Sequence, residues 1–168
     1  MSQISLEAIR SLREQTSAGV MDCKKALEEA GGDVDKAITL LQERGLRLAS
    51  KKSDRSTQEG VVESYIHMGG RVGAMVEVNC ETDFVARTPE FRELAHDLAM
   101  QVAAMTPKFV DVADIPVGDE VKADEACLLA QPFIKDPSRS IQDMINEVVA
   151  KLGENIRVKR FERFGLGE

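Results

Sequence analysis

The run Glu81-Thr82-Asp83-Phe84-Val85-Ala86-Arg87 sets a carboxylate beside a large aromatic ring at a point where one backbone pattern stops. Upstream, Val72, Ala74, Val76, Val78 and Cys80 alternate with Arg71, Gly73, Met75, Glu77 and Asn79, the period of two of a half-buried strand. Downstream, Thr88-Pro89 reads as a helix start, because Thr caps well and Pro suits the first helical position. A ring and a carboxylate carried on such a corner can be pushed into another molecule. A second reading stays open beside it: a Phe just before a helix often staples onto the core, and an Asp there often caps a turn.

Other chemistry has less to stand on. The chain has no G-x-x-x-x-G-K-S/T loop and no G-x-S-x-G elbow. Gly69-Gly70-Arg71-Val72-Gly73 joins two strand patterns, so it is a turn and not a dinucleotide fingerprint. His67 and His96 stand alone, without the neighbouring ligands that a metal or general-base role needs. Glu77, Glu81 and Asp83 offer three carboxylates for a cation, but strand alternation sends only Glu77 and Glu81 to one face. A solvated acidic edge accounts for them as well. Chemistry, where it occurs, is therefore expected on a partner: the chain is not read as an enzyme, and no cofactor or metal is expected.

Composition narrows the class. The 168 residues carry a formal net charge of −7, which disfavours a general nucleic-acid binder, since phosphate neutralisation needs clustered Lys and Arg. Hydrophobic content of 43% with only 4% aromatics predicts an aliphatic core. No apolar run is long enough to span a bilayer, and Met1 to Glu7 has neither a basic region nor an apolar signal core, so a cytoplasmic protein is expected. Cys23, Cys80 and Cys127 are far apart and odd in number; they read as buried thiols that pack like small apolar side chains.

The elements that must hold these residues follow from periodicity. Leu6, Ile9 and Leu12 predict a first helix, broken at Thr16-Ser17-Ala18-Gly19. Val20, Cys23, Leu27 and Ala30 predict a second, ended by Gly31-Gly32. Asp33 caps a third, with the stripe Val34, Ala37, Ile38 and Leu41 and Gly45 as its stop. The polar stretch that follows reads as a connector. Val61 to Met68 reads as a strand with Val62, Ile66 and Met68 on one face, joined through Gly69-Gly70 in a hairpin to the strand described above. The helix opened by Thr88-Pro89 buries Phe91, Leu94, Ala95, Leu98, Val102 and Met105. Phe109, Val110 and Val112 suggest a short strand, and Asp119 to Gln131 a helix. Ser140 and Asp143 form a capping box for a helix bearing Ile141, Met144, Ile145, Val148 and Leu152, which Gly153 stops. Ile156 to Phe164 is a last strand, whose alternation slips between Val158 and Phe161 as at a bulge. The fold class is thus α+β: a three-helix bundle over residues 1–46, a linker over 47–59, and a core of antiparallel strands packed on helices over 60–168.

Two segments also resemble the signatures of one family, bacterial elongation factor Ts. Leu12 to Leu27 (LREQTSAGVMDCKKAL) is similar to its N-terminal signature, and Glu77 to Arg87 (EVNCETDFVAR) to its second. The tail Val158 to Glu168 looks like the end of that family's core, and the order and spacing agree over nearly the whole chain. The resemblance implies a guanine-nucleotide exchange factor that binds elongation factor Tu with GDP, promotes GDP release and lets GTP rebind. It implies a bundle like a ubiquitin-associated domain, with Leu12, Val20 and Met21 meeting the partner's nucleotide-binding domain, and Thr82, Asp83, Phe84 and Val85 intruding beside its magnesium and phosphate site. The chain has one core unit where longer members carry two, and no coiled-coil insert; short members pair, so a homodimer is implied. Two other readings remain: an interaction adaptor built on the bundle, and an RNA-binding protein using Arg157, Lys159, Arg160 and Arg163.

Overall fold

The computed structural model describes residues 4–16 and 18–168. Met1 to Gln3 of the expected leaderless start, and Ser17 of the expected helix break, lie outside the described residues. Helices α1 (Leu6–Thr16), α2 (Val20–Glu29) and α3 (Val34–Lys52) come first. Strands β1 (Glu59–Ile66) and β2 (Val72–Cys80) follow, then the one-turn helix α4 (Asp83–Ala86) and the long helix α5 (Pro89–Met105). A short helix α6 (Ala123–Ala126), a small hairpin of β3 (Pro132–Phe133) and β4 (Asp136–Ser140), helix α7 (Ile141–Leu152) and strand β5 (Ile156–Gly165) complete the chain.

Strand β2 is the middle of a three-stranded antiparallel sheet in the order β1-β2-β5. Its inner face, Ala74, Val76, Val78 and Cys80, is buried against Phe91, Leu94, Leu98 and Val102 of α5 and Ile141, Ile145 and Val149 of α7. Thr88 accepts a hydrogen bond from the Phe91 N–H at 3.3 Å, and Pro89 opens α5 as expected. Ser140 and Asp143 cap α7 reciprocally, and Gly153 ends it at φ 78°. Lys159 is the extra residue of the expected bulge, since Glu77 faces Arg160 and Val78 faces Val158. A separate small core of Ile9, Leu12, Cys23, Ala26, Leu27 and Ala37 holds the three N-terminal helices together.

Several expectations are corrected. Helix α3 does not stop at Gly45 but continues to Lys52, through the first part of the stretch expected to be a connector. Gly45 is buried inside the helix, and a Cβ placed there would lie 3.6 Å from Ala150 of α7. That is an ordinary van der Waals distance, and the glycine keeps helical geometry, so it does not stop the helix despite a propensity cost of about 1 kcal/mol. On β1, Val62 and Ile66 share one face as expected; it is the outer face, where both are exposed, and the inward residues are Val61 and Tyr65. Met105 is more than one-third exposed at the end of α5. Val112 belongs to a 3-10 turn closed by Asp111 and Asp114, and Phe109 makes only an isolated bridge to Cys127.

Between Asp119 and Gln131 only Ala123–Ala126 is α-helical, followed by a 3-10 turn at Leu128–Ala130. The buried side chain of Gln131 donates to the Glu125 carbonyl at 2.8 Å and accepts from the Gln101 amide at 3.2 Å. A side-chain amide thus satisfies backbone that a continuous helix would have paired internally. Gln101 also accepts from the Ile134 N–H at 3.0 Å, which fixes the β3–β4 hairpin on α5.

The start of β1 depends on a glycine. Gly60 has φ 149°, and a Cβ there would come within 2.1 Å of the Val78 carbonyl oxygen. Gly60→Ala combines a strained backbone with a clash against the paired strand, so it should lower stability by at least about 2 kcal/mol. Urea unfolding followed by circular dichroism checks this.

Candidate functional site

The exposed corner after β2 is built by capping and anchoring. Cys80 ends the strand on the buried face, and Thr82 takes an extended conformation that starts α4, its hydroxyl accepting from the Val85 N–H at 3.5 Å. Val85 and Ala86 are buried in the core, while Phe84 is 79% exposed. One helical turn therefore pins two small aliphatics inside and holds a phenyl ring outside. The staple reading is excluded, because Phe91 and Val85 fill the core beneath and Phe84 does not reach it. Asp83 accepts from the Arg87 guanidinium at 2.7 Å across the same turn. The Arg92 guanidinium donates to the Ala86 carbonyl at 3.1 Å, and Thr88 donates to the Val85 carbonyl at 2.8 Å.

The three carboxylates considered for a cation are all engaged with side chains. Glu77 accepts from Arg160 at 2.8 Å and lies 3.4 Å from Lys159; the Arg160 hydrogen bond holds its carboxyl below the usual range. Glu81 is 3.4 Å from Arg55, and its other contact is the Asn155 N–H at 2.7 Å. Asp83 is taken by Arg87. Among the described residues no group of three or more His, Cys, Asp or Glu side chains is placed to hold a metal ion.

Val20 and Met21 open α2 and are 50% and 61% exposed. Gly19 precedes them in an extended conformation without a side-chain cap, and Cys23, Ala26 and Leu27 turn the other side of the helix into the bundle. Leu12 differs from the expectation that it meets a partner: it is fully buried in the bundle core, where it holds α1 in place. Val85 differs in the same way, as an anchor beneath Phe84 and not a surface group. The structure thus keeps Val20, Met21, Asp83 and Phe84 at the surface, with Thr82 half-buried behind them.

Sequence reasoning missed the residues that brace the corner. Glu154 and Asn155 sit between the end of α7 and β5. Glu154 accepts from the backbone N–H of Glu81 and of Thr82, and the Asn155 side chain donates to the carbonyls of Ser53 and Arg55 at 3.2 and 2.9 Å. Their only sequence signal is an acid and an amide directly after the helix-stop Gly153 and before the strand that opens at Ile156.

A family model described as Elongation factor TS matches residues 7–122. Curated relatives named Elongation factor Ts are similar over essentially the whole chain. That of Desulforamulus reducens is 46% identical over 199 positions, covering 100% of this chain and 91% of its own. That of Thermotoga neapolitana is 45% identical over 194 positions, covering 99% and 98%. That of Caldanaerobacter subterraneus subsp. tengcongensis is 46% identical over 195 positions, covering 98% of each.

Cys80 lies directly under the corner, its thiol donating to the Thr82 carbonyl at 3.1 Å. Burial pushes this thiol up to about 11, and the nearby Glu154 charge adds to the shift. Cys23 and Cys127 are also fully buried. At pH 8 a thiol at that value is ionised about one part in a thousand, and the thiolate is the reactive form. The native chain should therefore stay unlabelled by iodoacetamide at pH 8, while the unfolded chain takes up three equivalents. Rapid native labelling at Cys80, read by mass spectrometry, would mean that the corner opens.

Proposed function

This chain belongs to the elongation factor Ts family, whose members are the nucleotide exchange factors of elongation factor Tu, and we propose that its exposed corner at Phe84 drives the exchange. The observation that carries the reading is a large aromatic ring, 79% exposed, on a turn anchored from both sides. A single exposed ring is ordinary by itself; this one is held outward by the buried Val85 and Ala86 beside it, in the segment that resembles the family's second signature, and that combination supports a partner surface for it. The ring is buried only when the partner's nucleotide site has opened. A factor that binds the open form better than the GDP-bound form must weaken GDP by the same amount. Returning nucleotide then weakens the factor reciprocally, and it leaves. The chain performs no chemical step; it changes the rate of nucleotide release and not the partner's final balance of GDP and GTP.

Asp83 and Thr82 accompany the ring toward the magnesium and phosphate side of the site. Val20 and Met21 form a second contact, on the partner's nucleotide-binding domain. The division of labour follows the chain, with the three N-terminal helices, which end at Lys52, as the docking module and the sheet and helices from Glu59 onward as the exchange core. A role beside elongation factor Tu suits a cytoplasmic location; no helix among the described residues is long and apolar enough to cross a membrane.

A homodimer is supported by the outer face of the β1-β2-β5 sheet. Ile66, Gly73 and Phe164 lie in one row across the three strands, with Ser64, Met75 and Glu162 in the next. Ile66 and Phe164 are each 66% exposed and Val62 60%, so the sheet presents an uncovered apolar patch that a second copy would bury.

Two outcomes are expected. Phe84→Ala should fold normally and slow release of fluorescent GDP from elongation factor Tu by roughly thirtyfold, the rate equivalent of about 2 kcal/mol of lost apolar burial. Release as fast as with the parent chain would remove the ring from the mechanism. In sedimentation velocity, the parent chain should run as a dimer, and Phe164→Glu should shift it toward monomer.

A further inference from the structure

We propose that Glu154 is a positioning residue for nucleotide exchange: its carboxylate clamps the backbone from which Phe84 projects. The proposal rests on the exchange reading above. Both carboxylate oxygens are used. Oε2 accepts from the N–H of Glu81 at 3.1 Å and of Thr82 at 3.0 Å, and Oε1 accepts from the Thr82 hydroxyl at 2.6 Å. These N–H groups lie just past the end of β2, where the ladder that pairs the rest of the strand has run out. Without Glu154 they would be backbone donors left without a protein partner in a partly buried corner. A carboxylate meeting two N–H groups and a hydroxyl fixes the position and direction of the chain at Thr82 more firmly than neutral bonds would. Thr82 is also the N-cap of α4, so whatever fixes Thr82 fixes the turn that carries Asp83 and Phe84.

The neighbouring residue ties the same clamp to the N-terminal module. The Asn155 side chain holds the carbonyls of Ser53 and Arg55, and its backbone N–H donates to Glu81 at 2.7 Å. Lys52 at the end of α3 donates to the Gly153 carbonyl, and Arg157 donates to the Ser53 carbonyl. The turn between α7 and β5 thus grips the exchange corner on one side and the end of α3 on the other. Pre-forming the corner removes the ordering cost that the partner interface would otherwise bear.

The test compares GDP release from elongation factor Tu for the parent chain, Glu154→Ala, Glu154→Gln, Phe84→Ala and the double variant. Glu154→Ala should slow release at saturating factor by about tenfold, the loss of roughly one charge-assisted bond. Glu154→Gln should restore most of the rate, because its amide oxygen accepts both N–H groups and its NH₂ donates to the Thr82 hydroxyl. If Glu154 acts through the ring, the double variant is no slower than Phe84→Ala alone, whereas multiplying effects would overturn the proposal. An Ala variant as fast as the parent would also overturn it. The clamp is read without any partner by amide hydrogen exchange: in Glu154→Ala the Thr82 N–H should lose protection while the core of β2 keeps it. Unchanged protection sinks the clamp even where the exchange reading holds. A parent chain that releases no GDP sinks the exchange reading and, with it, the role given to Glu154. If Glu154→Ala fails to fold, Thr82→Val removes the 2.6 Å bond together with the cap that the hydroxyl gives the Val85 N–H, and an unslowed release by that variant counts against the proposal.

Discussion

The pairing of β2 with strands on both sides is the constraint on which the rest depends. A central strand has its register fixed twice, by Glu59↔Cys80 through Ile66↔Gly73 on one edge and by Val72↔Gly165 through Cys80↔Ile156 on the other. A slip of one residue would turn Ala74, Val76, Val78 and Cys80 outward and expose the whole inner face, so slippage is strongly disfavoured. The end of β2 is therefore placed with the precision of the core, and the turn after it inherits that placement. Phe84 is four residues from the last buried position of the strand and one residue from Val85, which is buried again. Between two such anchors the ring has little freedom to fold back.

The same constraint sorts polar from apolar on the two sheet faces. The inner face is aliphatic and closed by α5 and α7. The outer face mixes Val62, Ile66, Met75 and Phe164 with Glu77, Arg160 and Glu162. Its charges pair among themselves at the β2–β5 bulge, where Glu77 meets both Arg160 and Lys159. The extra residue of the bulge is what brings two cations to one carboxylate. Ile66 and Phe164 form the apolar row at the hairpin end, and the paired charges lie two rows on, beside Val62.

Much of this was legible in the sequence. The alternation of β2, the Thr88-Pro89 start, the Ser140–Asp143 box, the stop at Gly153 and the bulge before Phe161 are local signals, each confined to a few residues, and the structure carries them all. The corner at Phe84 was legible as a position but not as an orientation, because a ring before a helix packs or projects according to what else fills the core. Leu12 and Val85 likewise carry no local signal that separates a core position from a surface one, and both are buried. What stayed hidden depends on pairs far apart in the chain. Gln101 with Gln131 replaces a helix by a tied loop, and α3 runs past Gly45 to pack on α7, with Gly45 beside Ala150. Neither partner announces the other in periodicity or composition.

Glu154 belongs to that hidden class and shows why it matters for function. A site made of an exposed ring sacrifices stability, since burying the ring in its own core would be favourable by about 2 kcal/mol. The fold does not recover this by packing Phe84; it recovers rigidity by hydrogen-bonding the backbone behind it. A polar clamp suits the task better than an apolar one. It acts at fixed distances and directions, and it leaves the outward face of the turn clear for another protein. Because the clamp sits 72 residues downstream of Thr82, on the turn that leads into β5, the corner is fully braced only once the last strand has paired. The exposed ring is therefore presented by the completed core, and a chain that has not closed its sheet does not offer it in place.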